Sequence, residues 1–580
     1  MNSIKNPFEF EAASKLTIEE VIEYFIDSYN YARFIKSKRN IFLVGERGAG
    51  KTMMLLHSSF PAQKANAERH GISADDLYDI VCIHIPCNTP LFYKKEYELL
   101  QPLSAAVVSE HFLVLFILFF VAETFKISDI SVSPEIEKTF RKEFEYIIDL
   151  ELPQGTTLWE SVCLFANREV KRSQKAINSL DVEYYNDPLT FASTVIPFLH
   201  AIRKIPGFDK SHFSLMFDDL QDLNTHQIKT INSWISFRDN SLFSFKIASA
   251  KIDRPTRLTN SDGTIIEGHD YLELDLESAH QNPQVNYGKL AKEIISKRLQ
   301  SCGINSSPEE YFPVSDAFEM HMKMYREEAR KMAEQKIPQD AEDRSKKISD
   351  EVYKNARALF YSALDPHANY PDHAYSGFEQ IVHLSTGIVR NLLKPCFFMF
   401  DDHISGGNQP TLPITSQVQA RVIQDQSNKL WENMKYIDTQ IIGCSKDMCD
   451  EIFRLFDKIC IHFHNRLKKE GAADRRAVKF VISEKKHPQY GELLELLKIA
   501  QKAQLLFTYM SSGKEKASRE TYYVPNRLLL PARGLDPVGQ HACVYLKVSS
   551  LIEAAKLGKD IPFSNDDCSI EGNLFDKITE

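Results

Sequence analysis

The residues best suited to chemistry are GERGAGKT at 45–52, directly after the apolar run NIFLV. Gly45, Gly50, Lys51 and Thr52 meet the spacing GxxxxGK[ST], in which a bent backbone turns successive N–H groups toward phosphate oxygens. Glu46, Arg47, Gly48 and Ala49 complete the cradle, and the positive end of the following helix adds to the attraction for anions. In such a loop the Lys51 ammonium serves the β- and γ-phosphates and the Thr52 hydroxyl serves magnesium, so ATP and Mg2+ are the expected ligands. The motif needs a strand before it and a helix after it, and IFLV and TMMLLH supply both. Nothing in the motif accounts for the identities of Glu46 and Arg47.

A phosphate loop also needs an acid for the metal and a group that orients the attacking water. SLMFDDLQDL at 214–223 offers both, as four residues of strand character run into Asp218 and Asp219. A parallel strand delivers its last residues to the carboxyl edge of the sheet, beside the phosphate loop. Asp218 is then the magnesium residue, and Asp219 stands where a Glu commonly polarises water. The shorter side chain predicts slow turnover.

Elements that could position these residues follow from the hydrophobic pattern. Residues 17–37 have helical spacing, IVCIHIPCN at 80–88 reads as a second strand, and HFSLMF ahead of the acids is a third. LFSFKIASA at 242–250 and HDYLELDLE at 269–277 give a fourth and a fifth. Short apolar strands alternating with helices predict an α/β fold with a parallel sheet. The stretch 91–200 reads as a helical insertion, and its greasiest part, HFLVLFILFFVA at 111–122, is short for a membrane crossing and reads as a core helix.

From about 285 the pattern turns helical, with a charged run at 322–357 read as a solvated helix pair. Residues 401–428, rich in Gly, Pro and polar side chains, read as a linker. The expected organisation is a nucleotide domain over 1–284, a helical lid over 285–400, the linker, and a C-terminal domain over 429–580.

The bulk properties set limits. A chain of 580 residues is too long for one core, and 43% hydrophobic with 26% charged residues excludes wholesale disorder. The net charge of −9 argues against a generally basic nucleic-acid binder, yet 451–550 carries 18 Lys/Arg against 10 Asp/Glu. Ten cysteines show no ligand spacing for zinc, and Cys82, Cys163 and Cys460 lie in apolar runs, as in a reducing, cytoplasmic protein. The polar opening MNSIKNPFEFEAASK lacks signal-peptide character, so no membrane association is expected.

At this point the chain resembles the AAA+ ATPases of the origin-recognition-initiator type and their STAND relatives. The Asp218-Asp219 ending carries the likeness together with three further stretches. Asn6, Pro7 and Phe8 resemble the segment that lines the adenine pocket in those proteins. FSFKIAS at 243–249 resembles the sensor-1 strand, which makes Ser249 the residue for the γ-phosphate or water. STGIVRNLL at 385–393 resembles the sensor-2 motif of the lid, with Arg390 over the phosphates. Arg254 and Arg257 fall where such enzymes place a finger for a neighbouring subunit, which implies a homo-oligomer.

Beyond the linker, 451–466 and 492–507 have amphipathic helical spacing, and ETYYV and HACVYLKV read as a strand and its returning partner. Helices followed by a two-stranded ribbon resemble a winged helix. Its basic clusters, Arg475-Arg476, Lys485-Lys486 and Lys514 with Lys516, suit DNA, whereas Tyr522, Tyr523 and Leu528 to Leu530 suit a packed protein face. An acidic tail with Asp566, Asp567 and Glu571 closes the chain.

The resemblance implies a magnesium-dependent ATPase used as a conformational switch. Three outputs are open at this level. One is coupling to an effector protein, as in bacterial antiphage defence; one is DNA binding or loading, as in initiators and transposition; one is a nucleotide held for stability alone.

Overall fold

The computed structural model describes residues 5–9, 13–26, 31–71, 77–87, 100–179, 188–237, 241–252, 254–276, 287–364, 374–469, 475–510, 520–539 and 543–563. Lys514, Lys516 and the acidic tail lie outside them. The chain divides into two compact units, one of residues 11–279 and one of residues 1–10 with 280–580.

The first unit is built on five parallel strands: β1 (Ile41–Gly45), β2 (Ile80–Pro86), β3 (His212–Asp218), β4 (Phe243–Ala250) and β5 (Leu272–Asp275). Their order across the sheet is β2-β3-β4-β1-β5, so β4 separates the strand before the phosphate loop from the strand before the acids. β1, β3 and β4 are buried throughout, as expected of a parallel sheet covered on both faces.

Alternate residues serve the two faces. Phe42, Val44, Phe213, Leu215, Phe245 and Ile247 join one core, while Ile41, Leu43, Met216 and Ala248 join the other. The stretch expected as an insertion supplies three helices of the first core: Pro102–Ile127, Pro134–Ile148 and Leu158–Ser179 all bury apolar side chains there. Helix Pro102–Ile127 runs 26 residues and by length and composition could cross a membrane, but 72% of its most apolar 18-residue window is buried. It lies in the same core as β2, β3 and β4.

One helix was expected over 17–37, and the structure has two among the described residues. Ile18–Tyr24 opens on a capping box, Thr17 accepting from the Glu20 N–H and the Glu20 carboxylate from the Thr17 N–H, and it ends where Phe25 becomes extended. Ala32–Ile35 then forms a separate short turn of helix.

The second unit begins as helices. Tyr287–Ser301 is followed by the pair Asp316–Lys336 and Arg344–Ser362, which is the charged run. Phe378–Leu384 and Val389–Ser405 follow. The stretch 401–428 lies inside this unit, closing one helix and opening the next, Ser416–Asn433. Its coil is tied down: the Tyr311 hydroxyl donates to the Pro410 carbonyl at 2.8 Å and the Ile414 N–H to the Tyr311 carbonyl at 2.9 Å.

Helix Lys446–Lys468 leads to a mixed sheet of β6 (Phe480–Ser483), β7 (Leu506–Met510), β8 (Thr521–Pro525) and β9 (Val544–Lys547), in the order β7-β8-β6-β9. Two expectations are corrected here. The helix read over 492–507 runs Tyr490–Lys502, because Gln504 adopts a left-handed φ of 58° and the aromatic run after it becomes β7. HACVYLKV does not return against ETYYV either: β8 pairs antiparallel with β7, and β9 pairs parallel with β6.

The second unit holds a buried ionic hub. Asp536 accepts two hydrogen bonds from Arg357, at 3.0 and 2.7 Å, and one from Arg476 at 2.8 Å. Burial would raise this carboxyl, but the two guanidinium groups hold it at about 2.

Candidate nucleotide-binding site

The phosphate loop leaves β1 at Gly45 and enters helix Lys51–Ser58. Gly48 and Gly50 have φ values of 87° and 101°, conformations that a side chain would strain, and Gly50 is the helix N-cap. Ala49 is buried, and its N–H closes the turn onto the Glu46 carbonyl at 3.2 Å. Lys51, only 5% exposed, donates to the carbonyls of Gly45 and Glu46 at 2.8 and 3.0 Å, placing its ammonium within the curve of the loop. Thr52 is half-buried in the first turn of the helix.

Strand register brings the other candidates to the same edge. Ser249 pairs with Val44 and Ala250 with Gly45, one strand over from the loop. Phe217 pairs with Ile247, which sets Asp218 at the next step along β3. Asp218 is buried; its Oδ2 lies 3.3 Å from His84 Nε2, while its Oδ1 has no hydrogen-bond partner among the described residues. The buried Ser249 Oγ is likewise without one. Two buried oxygens lacking partners on one sheet edge fit groups that complete their bonding with a ligand.

Asp219 sits in the left-handed region at φ 59°, and Gln221 donates to its Oδ1 at 3.1 Å. The local charge is acidic. Asp222 has its carboxyl raised by burial and then by Asp219, with Arg47 opposing, and the Cys87 thiol is pushed well up by burial and by the three acids. Arg47 therefore has an electrostatic counterpart in the acidic turn. Such a concentration of carboxylates favours a cation. Among the described residues no group of three or more ligating side chains could cage a metal.

His84, Gln221 and Asp222 were not singled out from the sequence. His84 left a trace, as a polar residue inside the apolar run IVCIHIP.

Asn6, Pro7 and Phe8 belong to the second unit. Asn6 Nδ2 donates to Phe397 O and Asp401 Oδ1 at 2.9 and 2.8 Å, Arg298 donates to Pro7 O at 3.2 Å, and Phe8 packs among Tyr311, Phe312 and Phe400. Arg390 is half-buried in the first turn of Val389–Ser405. The turn before it contains Thr386 at φ 54°, held from β7 and from the turn after β8: Tyr509 donates to its carbonyl at 2.9 Å and the Arg527 N–H to its hydroxyl at 3.0 Å. Arg257 is engaged by Glu273 and Tyr271 and lies 3.7 Å over the Phe42 ring, whereas Arg254 pairs with Glu273 and stays 54% exposed.

A parallel sheet ordered β2-β3-β4-β1-β5, with a phosphate loop after β1 and an acid pair after β3, is the core of a P-loop ATPase of AAA+ type. The chain belongs to the ORC-CDC6-like family, a family of AAA+ ATPases, whose model matches residues 6–542. No curated protein matches the sequence. Among solved structures the Aeropyrum pernix ORC1 protein in complex with DNA is similar over 89% of this chain and 90% of its own, at 9% identity. Its TM-score is 0.25, too low to carry weight on fold or function.

Proposed function

We propose that this protein binds ATP with magnesium at the carboxyl edge of the first sheet and hydrolyses it slowly, as a switch. The observation that carries this reading is the convergence of the phosphate loop, Asp218 and Ser249 on neighbouring strand ends, with two buried oxygens lacking partners among the described residues. Loop N–H groups and Lys51 would hold the phosphates, and Thr52 and Asp218 the metal, which neutralises charge on the transferred phosphoryl group. Asp219 would accept a hydrogen bond from the attacking water and Ser249 would donate to it or to the γ-phosphate. Arg390 is the proposed sensor cation of the lid. Steady-state hydrolysis with and without magnesium, in wild type and Lys51→Ala, tests the reading; wild-type turnover no higher than that of Lys51→Ala rejects it.

For the output, family membership favours DNA over an effector protein, and no observation supports a defence role. Part of the basic excess of 451–550 is engaged within the fold. Arg475 and Arg476 are buried, Arg533 pairs with Asp457, Lys458 with Asp560 and Lys547 with Glu484. Lys468, Lys485, Lys486 and Lys498 are exposed. Fluorescence anisotropy with a labelled duplex, with and without ATP over a salt series, is expected to show ATP-dependent, salt-sensitive binding. No binding at low salt would remove DNA as the output. Arg254 is the better of the two finger candidates for a homo-oligomer, tested by turnover of Arg254→Ala mixed with Lys51→Ala.

A further inference from the structure

We infer that Gln221 is a positioning residue for the proposed ATPase reaction, holding the Asp219 carboxylate against the end of the sensor strand. The inference rests on the role proposed above for Asp219. Its basis is a clasp made by both ends of one amide. Gln221 Nε2 donates to Asp219 Oδ1 at 3.1 Å, while Gln221 Oε1 accepts from the Ala250 N–H at 2.9 Å. The partners dictate this orientation, since a carboxylate only accepts and a backbone N–H only donates.

Ala250 follows Ser249 and is in register with Gly45, the first residue of the phosphate loop. The clasp therefore ties the acid after β3 to the strand that flanks the loop, across the gap left when β3 ends at Asp218. Asp219 needs such support. Its backbone lies at φ 59°, outside the range most residues adopt, and the short turn Leu220–Asp222 follows at once. A carboxylate on a strained turn swings unless a donor fixes it, and misorientation of about 1 Å in a catalytic group can cost on the order of 100-fold in rate.

Two variants separate positioning from packing. Gln221→Glu keeps an acceptor of the same reach for the Ala250 N–H but removes the donor to Asp219. Gln221→Ala removes both. The expected result is that both variants lower kcat by roughly 10-fold, while the Kd for a fluorescent ATP analogue stays within about twofold. Hydrogen exchange at Ala250 in the nucleotide-free protein is expected to accelerate in Gln221→Ala and to stay slow in Gln221→Glu. Wild-type kcat in Gln221→Glu would overturn the inference, because the Ala250 bond alone would then suffice. Equal loss of kcat and nucleotide affinity in both variants would overturn it too, as plain structural damage. Failure of wild type to exceed Lys51→Ala is a different result, and it rejects the hydrolysis reading itself.

Discussion

Asp218 is the residue at which the charge balance of the site turns. Its Oδ1 is buried without a partner among the described residues, and two further carboxylates follow within four positions. Removing it should affect the metal before the nucleotide. Asp218→Ala is expected to raise the magnesium concentration for half-maximal turnover by roughly 10-fold or more, while ATP-analogue binding in EDTA is unchanged; a magnesium titration of turnover checks this. The residues of the loop were legible because glycine at positive φ and lysine at its fixed offset are requirements written in sequence order. Gln221 was not, since one of its partners, Ala250, lies 29 residues away and only strand register brings them together. Arg47 gained a reason to be there from the same turn, through its charge opposite Asp222.

Elements were legible where the periodicity belonged to one state only. Strands β1, β3 and β4 stood out as apolar runs because each is covered on both faces. The end of helix Tyr490–Lys502 did not, because Leu505 to Phe507 continue an apolar stripe that a helix could also use. The stop is conformational: Gln504 takes φ 58°, and the Leu505 N–H bonds back to the Ala500 carbonyl at 2.9 Å. Gln504→Gly is therefore expected to stabilise the protein by about 0.5–1 kcal/mol. Urea unfolding checks it, and an unchanged or lowered midpoint would count against this account of the helix end. The partner of β9 was hidden for another reason, since nothing local distinguishes pairing with β8 from pairing with β6.

At the scale of the molecule, net charge has to be read together with pairing. An excess of 18 basic over 10 acidic residues in 451–550 reads as a DNA-binding surface, but much of it is spent within the fold. The hub at Asp536 shows why, because residues 357 and 476 meet there only after folding. Asp536→Ala removes the carboxylate shared by the half-buried Arg357 and the buried Arg476 and is expected to cost about 3–5 kcal/mol, read by urea denaturation. The sign of its pH dependence follows from a carboxyl held at about 2 against an ordinary 3.8. Its contribution is complete above about pH 4 and is lost as the pH falls toward 2, so Asp536→Asn should flatten the acid limb of stability there. The helices of 91–200 share one face of the nucleotide sheet with helix Thr225–Ile235 and pack into its core.

The measurement closest to the central claim is phosphate release from ATP by wild type, Lys51→Ala and Asp219→Asn, each beside a binding titration with a fluorescent ATP analogue. The expected result is magnesium-dependent turnover in wild type, loss of both binding and turnover in Lys51→Ala, and turnover lowered roughly 100-fold with binding retained in Asp219→Asn. Wild-type binding without turnover above Lys51→Ala, or full turnover in Asp219→Asn, would contradict it.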